Sequence, residues 1–435
     1  MNPLSPWRKS ARQRGSALLA ALCFAAVLSL SLGSYIMVCY TSLQMSSRAM
    51  HYTRSIELAE MGLEQALWSL NKNDWTGWTV ASDTARMTIS GINYENGATG
   101  EADLSITDFD NSSGARTIHS DGVMHLPDGT TLTRSVSTKP KSAAFFTNAI
   151  AAVGTSSSTD GVVKFSSGGT VDSYDSSRGD YPTQTPGYSA IVAGNAVTLT
   201  NAQIKGYVAT SSGTVTYGSS GMVTGPNTAT GVKIDPSRLS STAYQCVFDI
   251  APPTGAGTLL PSGTATVGSP SDTTPRIYYG TNTRIYNAST LTVDGPVILV
   301  VSGYFNIEDT SSVIVTTNGS LAIYFSGDLL INGNGIRNDT KLPKRVALFG
   351  SSTVDNNLDF CPTLPFCGVI YTPGGSLTLK NNVVIYGAVV AKNVSFSGTA
   401  PAVHYDVDLR NTVFAGLPMS TMISDWHEIT NPGGS

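Results

Sequence analysis

The chain has 435 residues, 13% of them charged, a formal net charge of −4 and five cysteines. That length exceeds one average domain and leaves room for a sizeable core. The charge gives no basic footprint for nucleic acid, the cysteines are too few for a disulfide scaffold, and abundant Gly, Ser, Thr, Asn and Val suit short strands better than a helical bundle.

Residues 1–15 form a basic leader with Arg8, Lys9, Arg12 and Arg14 and no acid, and no charge occurs from Gly15 to Ser47. Residues 17–40 are apolar and long enough to span a bilayer, at about 20 residues per crossing. The basic flank predicts a cytoplasmic N-terminus. A cleaved signal peptide and a retained helix both begin this way, and the residues that follow decide between them. Met45, Ala49, Tyr52, Ile56, Ala59, Leu63, Ala66 and Leu70 alternate at spacings of four and three, one apolar stripe on a helix. Arg48, Arg54, Glu57, Glu60 and Glu64 fall off that stripe, and no proline lies between Pro6 and Pro127. The pattern predicts one helix over 16–70, transmembrane in 17–40 and amphipathic in 41–70, roughly 80 Å long at 1.5 Å per residue. A signal peptide has no reason to continue into such a helix.

Asn71–Gly77 breaks the pattern, and 71–140 then alternates in short runs separated by turn signals such as Asp128-Gly129, which predicts a small antiparallel sheet covering the helix stripe. Past Thr138-Lys139-Pro140-Lys141 the character changes. Residues 141–410 carry apolar runs punctuated by Gly, Asn and Asp, which follow one another at about 8–10 residues from Pro296 to Gly333 and again from Gly368 to Gly398. Val197–Thr210 echoes Leu377–Lys392, including Ile204-Lys205-Gly206 against Ile385-Tyr386-Gly387. Two architectures fit, a parallel β-helix and a β-sandwich; the missing hairpin turns and the echo favour the β-helix. Asp339–Pro343 and Ser351–Phe366 read as loops leaving the coil, and 411–435 as a C-terminal tail. The expected fold is mainly β with one long N-terminal α-helix, a small α+β head and then a solenoid.

Candidate chemistry is thin. Asp406 and Asp408 share one strand face and are the best carboxylate pair for glycoside cleavage, but a capping segment fits them better. Asp172, Asp175 and Asp180 could offer oxygens to calcium, yet Asp and Ser are also the ordinary residues of Asx-turns. His51, His119, His125, His404 and His427 are scattered without zinc spacing, and no phosphate loop or nucleophile elbow occurs. Tyr278, Tyr279, Tyr286, Tyr304 and Tyr324 could line a sugar-binding face or stack inside a solenoid. In an exported domain Cys361 and Cys367 suit a small-loop disulfide; the alternative is two small core residues. The expectation is a protein with no catalytic residues and no cofactor.

The N-terminal stretch resembles a type IV pilin or pseudopilin. In RQRGSALLAAL the basic run ends at Gly15 and the apolar run opens at Ser16, like a prepilin peptidase site cut after the glycine. Ser55–Leu70 (SIELAEMGLEQALWSL) resembles the A-x-x-A-E-x-G-L-x-x-A stretch of PilX-type minor pilins. The likeness implies a minimal pilin head, processing at Gly15 and Ser16, and as partners the inner membrane, prepilin peptidase and other pilin or pseudopilin subunits. It places the bulk of the chain in the periplasm or outside the cell, where a surface or glycan ligand is conceivable. One departure stands out: the fifth residue after the cut, a glutamate in most pilins, is Ala20. That glutamate pairs with a neighbouring subunit's amine, so its absence points to a minor subunit at a filament tip. The second half resembles a poorly characterised β-helix-like domain that follows PilX-type N-termini in bacterial proteins, through VDSYDSSRGDY (Val171–Tyr181) and AVHYDVDLR (Ala402–Arg410).

Overall fold

The computed structural model describes residues 13–72, 74–81, 83–108, 116–142, 145–155, 159–241, 247, 250–350, 354–412, 414 and 421–429. Residues 1–12 of the basic leader and Cys246 lie outside them. The described chain divides into two compact units, one reaching Lys141 and resuming at Thr421, the other starting at Ser142 and ending before Thr421.

The first unit is a helix on a sheet. Helix α1 (Gln13–Lys72) runs 60 residues without a break, about 90 Å at 1.5 Å per residue. Residues 17–50 touch little: Leu19, Phe24, Leu30 and Met37 each expose 70–72% of their surface. From Ser55 onward it lies on the sheet through Ser55, Leu58, Ala59, Gly62, Leu63, Ala66, Ser69 and Leu70. The stripe read from the sequence therefore divides. Ala59, Leu63, Ala66 and Leu70 are buried, whereas Met45 and Tyr52 remain exposed and Ile56 half-buried.

The sheet comprises β1 (Thr79–Val80), β2 (Thr84–Asn93), β3 (Thr99–Thr107), β4 (Thr117–His125) and β5 (Thr131–Ser142), antiparallel neighbours in that order. Hydrophobic alternation puts Ala102, Leu104, Ile106, Ile118 and Met124 on the helix side. The helix approaches closely because small residues meet. A methyl added at Gly122 would overlap the Ser55 carbonyl oxygen, and one at Gly62 would strike Ser120 and Leu104. The small residues of the ELAEMGLEQA stretch are thus a packing requirement. Trp78 seals the helix end: its indole N–H donates to Ser69 Oγ at 3.0 Å, and its ring meets Trp75 edge-on at 5.6 Å.

A sixth strand completes this sheet beside β5, and it is Thr421–Ile429, from the segment read as a tail. Arg134 of β5 donates to Glu428 at 3.0 Å. The second unit is therefore an insertion between two neighbouring strands of the first.

In the second unit every pairing between described strands is parallel. Strand Pro296–Ile307 pairs through 296–301 with Ser320–Phe325 and through 305–307 with Leu329–Ile331. It turns a corner from one sheet to the next, which makes a solenoid of stacked coils. The coils are not stacked in chain order. One inward column runs Ile285, Ile307, Ile331, Phe360, Leu379, Phe396, Phe165, Leu199, all in register and all buried. Between Phe396 and Phe165 the sequence jumps back, so the last coil docks on the first. The chain begins mid-stack, winds out through a short arm to Leu239–Ser240, restarts at the far end near Thr258–Leu259 and winds back through a long arm. At the seam the Phe165 and Phe396 rings stack with centroids 4.2 Å apart and planes within 3°.

The sequence echo falls on matching places in this stack. Leu377, Val394, Val163 and Val197 form one column, and Ile385, Val403, Val171 and Ile204 another. Gly206 and Gly387 stand at equivalent corners with φ of 157° and 143°, against the carbonyls of Ala190 and Gly368, which leave no space for a side chain. The stretch read as a loop over Ser351–Phe366 holds a coil strand of its own, Asn357–Phe360.

Candidate functional site

The two segments that carried the second family resemblance meet across the seam. Ala402–Asp406 pairs with the end of Val162–Tyr174, placing His404 opposite Asp172 and Asp406 opposite Tyr174. His404 and Asp172, 232 residues apart, are hydrogen-bonded at 2.6 Å, and Asp172 is 1% exposed. The chain after Tyr174 folds back over this face. Asp175 caps the short helix Ser176–Arg178, accepting from Ser177 N at 3.0 Å and Ser177 Oγ at 2.6 Å. Tyr181 then lands on the pair: its hydroxyl donates to Asp172 at 2.8 Å, and its ring stacks on His404 at 3.7 Å. Gln184 holds the loop shut through the carbonyls of Asp175 and Gly179, at 2.8 and 2.5 Å.

Along the same outward column lie Asp172, His404, Tyr386 and Cys367, one per coil. Beside it opens a cleft of about 280 Å³, floored by Tyr174, Cys367 and Tyr386 and walled by Tyr181, Lys341 and Pro365. Burial pushes the Tyr174 hydroxyl well above the usual phenol range and the Cys367 thiol up to about 12, so both stay protonated at neutral pH.

The carboxylates singled out from the sequence are dispersed. Asp406 is fully buried and caps the short helix Val407–Asn411, accepting from Asp408 N at 3.1 Å and from Ser176 N at 2.9 Å. Asp408 turns outward to Lys344 Nζ at 2.9 Å. The pair faces no common space, so the geometry glycoside cleavage needs is not present there. Asp172, Asp175 and Asp180 also part company: a buried pair, an Asx-type cap and an exposed side chain. Among the described residues no group of carboxylates, histidines and cysteines is arranged to hold a metal ion.

Cys361 and Cys367 are free thiols, half-buried and buried. The chain turns a corner between them: Cys361 follows Asn357–Phe360 on one sheet, and Cys367 sits in Phe366–Leu379 beside Tyr386. Gly15 and Ser16 lie in the first turns of α1. The tyrosines proposed as a sugar-binding face do not share one: Tyr324 packs on Phe349 at 5.1 Å inside the core, while Tyr286 lies under Arg284. Sequence reasoning missed the grouping of Tyr174 and Tyr181 with Lys341, Tyr386 and His404, because the two sets stand at opposite ends of the inserted unit's sequence. The one signal was that VDSYDSSRGDY and AVHYDVDLR stood out separately.

Residues 256–412 match a family described as a domain of unknown function (DUF7305). The match spans the long arm, from the far coil to the strand that closes the seam. No curated protein matches the chain. Among solved structures, the chain aligns with the competence-associated pilin ComZ from Thermus thermophilus at 12% identity, covering 86% of this chain and 98% of that one, with a TM-score of 0.24. That score lies below the level of a shared fold. Within the chain itself, α1 is long and apolar enough to cross a membrane, and a large β body follows it.

Proposed function

We propose that the chain is a membrane-anchored, type IV pilin-like minor subunit that displays a β-solenoid outside the inner membrane, and that its role is structural. The observation that carries this reading is the division of α1. Residues 17–40 are apolar and almost wholly exposed, while its last turns are fixed to an antiparallel sheet by small residues. A bare apolar helix in water is unstable, so this half belongs in a bilayer or against the helices of neighbouring subunits. The basic leader sets its N-terminus in the cytoplasm, and cleavage after Gly15 would free Ser16 for assembly. The finer likeness to PilX-type minor pilins rests on Ser55–Leu70.

Ala20 sharpens the placement. A subunit without the usual buried glutamate has no charge to neutralise on a neighbour, which suits the tip of a filament. Gly15→Val tests the reading in cells that carry prepilin peptidase. The expected result is a longer, membrane-retained precursor absent from sheared surface filaments; unchanged size and distribution would defeat it.

A further inference from the structure

We propose that the seam cleft is a carbohydrate-binding site that takes a single sugar ring. This is independent of the anchor reading. The cleft lies where the first and last coils meet, so its walls come from segments brought together only by closure of the solenoid. Its floor is aromatic: Tyr386 and Tyr181 stand 5.5 Å apart with planes inclined at 46°, and Tyr174 meets Tyr181 edge-on at 5.6 Å. Aromatic faces suit the C–H faces of a sugar ring, which are apolar although its rim is polar.

The polar groups fit the same ligand. Tyr174 and Tyr386 line the cleft, and neither hydroxyl makes a hydrogen bond to a described residue. Arg337 is occupied by Asp339, at 2.9 and 3.1 Å. The charges left open are Lys341 and Asp180, one of each sign, both exposed on the walls. A phosphate or a strong polyanion would call for clustered cations. A neutral ring bearing several hydroxyls needs both donors and acceptors, which this pair and the two phenols supply. The volume of about 280 Å³ sits at the small end for ligand pockets and accommodates one ring with its chain continuing into solvent. Tyr181 is fixed in advance by its stack on His404 and its bond to Asp172, so binding orders no loop.

The test is saturation-transfer difference NMR on the full chain in nanodiscs free of glycolipid, with glucose, galactose, N-acetylglucosamine and galacturonate as separate probes. Saturation of the aromatic protons should pass to the ring protons of at least one neutral sugar. The transfer should fall to background in Tyr386→Ala and weaken in Lys341→Ala, while Tyr286→Ala, on the remote end of the long arm, leaves it unchanged. Lys341 is on an exposed wall, so that variant carries the test even if Tyr386→Ala disturbs the seam. Absence of transfer to the three neutral sugars, or transfer that survives both cleft variants, overturns the proposal.

Discussion

The two units bury their cores by opposite means. The first covers one face of an antiparallel sheet with a helix, and its strand partners are close in sequence, joined by turns such as Asp128-Gly129, where Thr130 N donates to Asp128 at 2.9 Å. Its tightness depends on what is missing: side chains at Gly62, Gly100 and Gly122 would collide with the opposing layer. The second unit encloses its core within its own coils, and its columns accept Ile, Leu, Val or Phe at the same level. Column packing is forgiving of side-chain identity, because each rung needs only an apolar group of similar height. It is unforgiving at the seam, where the two arms join through residues 232 apart. The first unit is therefore expected to be most sensitive to added volume, and the second to lost closure.

The largest effect is expected from His404→Ala. It leaves the Asp172 carboxylate buried without its imidazole and takes away the ring on which Tyr181 lies. Leaving a buried carboxylate short of a hydrogen-bond partner costs more than the ~1–3 kcal/mol of a neutral polar group. Calorimetry should show the solenoid transition fall while that of the helix–sheet unit holds; a uniform fall of both would mean that the units do not unfold separately. Next comes Gly122→Val, which forces the helix off the sheet at Ser55 and Ala59. Overpacking of this kind costs about 1–3 kcal/mol. It should lower only the first unit's transition and speed trypsin cleavage at Arg54.

Phe396→Leu is smaller. It keeps an apolar rung but removes the ring stack on Phe165, a loss of about 1 kcal/mol. The same change in the long arm, Phe360→Leu, should cost a similar amount without weakening sugar binding in the cleft. The smallest effect is a pH dependence. Burial raises the Asp406 carboxyl above its ordinary value of 3.8, so the folded chain holds that proton more tightly than the unfolded chain. Its favourable contribution is complete below the unfolded value and lost as pH rises through the folded one. Relative to the parent, Asp406→Asn should therefore gain thermal stability as pH is raised from about 4 toward neutrality. A constant difference across that range would contradict the assignment.

Much of this fold was legible in the sequence. Ala59, Leu63, Ala66 and Leu70 declared the helix face by their spacing, and the echo of Ile204 and Ile385 marked equivalent rungs. What escaped had no local signal. Parallel coils place partners a whole turn away, and the seam joins the two ends of the unit, so neither Asp172 nor His404 reveals the other. Thr421–Ile429 read as a tail because its partner, β5, precedes the whole inserted unit in the sequence. Met45 and Ala49 extended the stripe beyond the sheet, while Tyr52 ends it under Arg134 of β5; apolar periodicity records that a face will be covered, and a bilayer or a neighbouring subunit covers it as well as a sheet does. The cleft was legible only in fragments, since its tyrosines and Lys341 come from three separate stretches.

The central claim is that the apolar helix is kept and processed as a prepilin. Intact-mass measurement with N-terminal sequencing of the membrane-extracted protein tests it most directly. The account predicts a chain beginning at Ser16, with or without a methyl group on the new amine. A chain beginning beyond Tyr40, its apolar span removed, or one still carrying Met1 to Gly15 in cells with active prepilin peptidase, would contradict it.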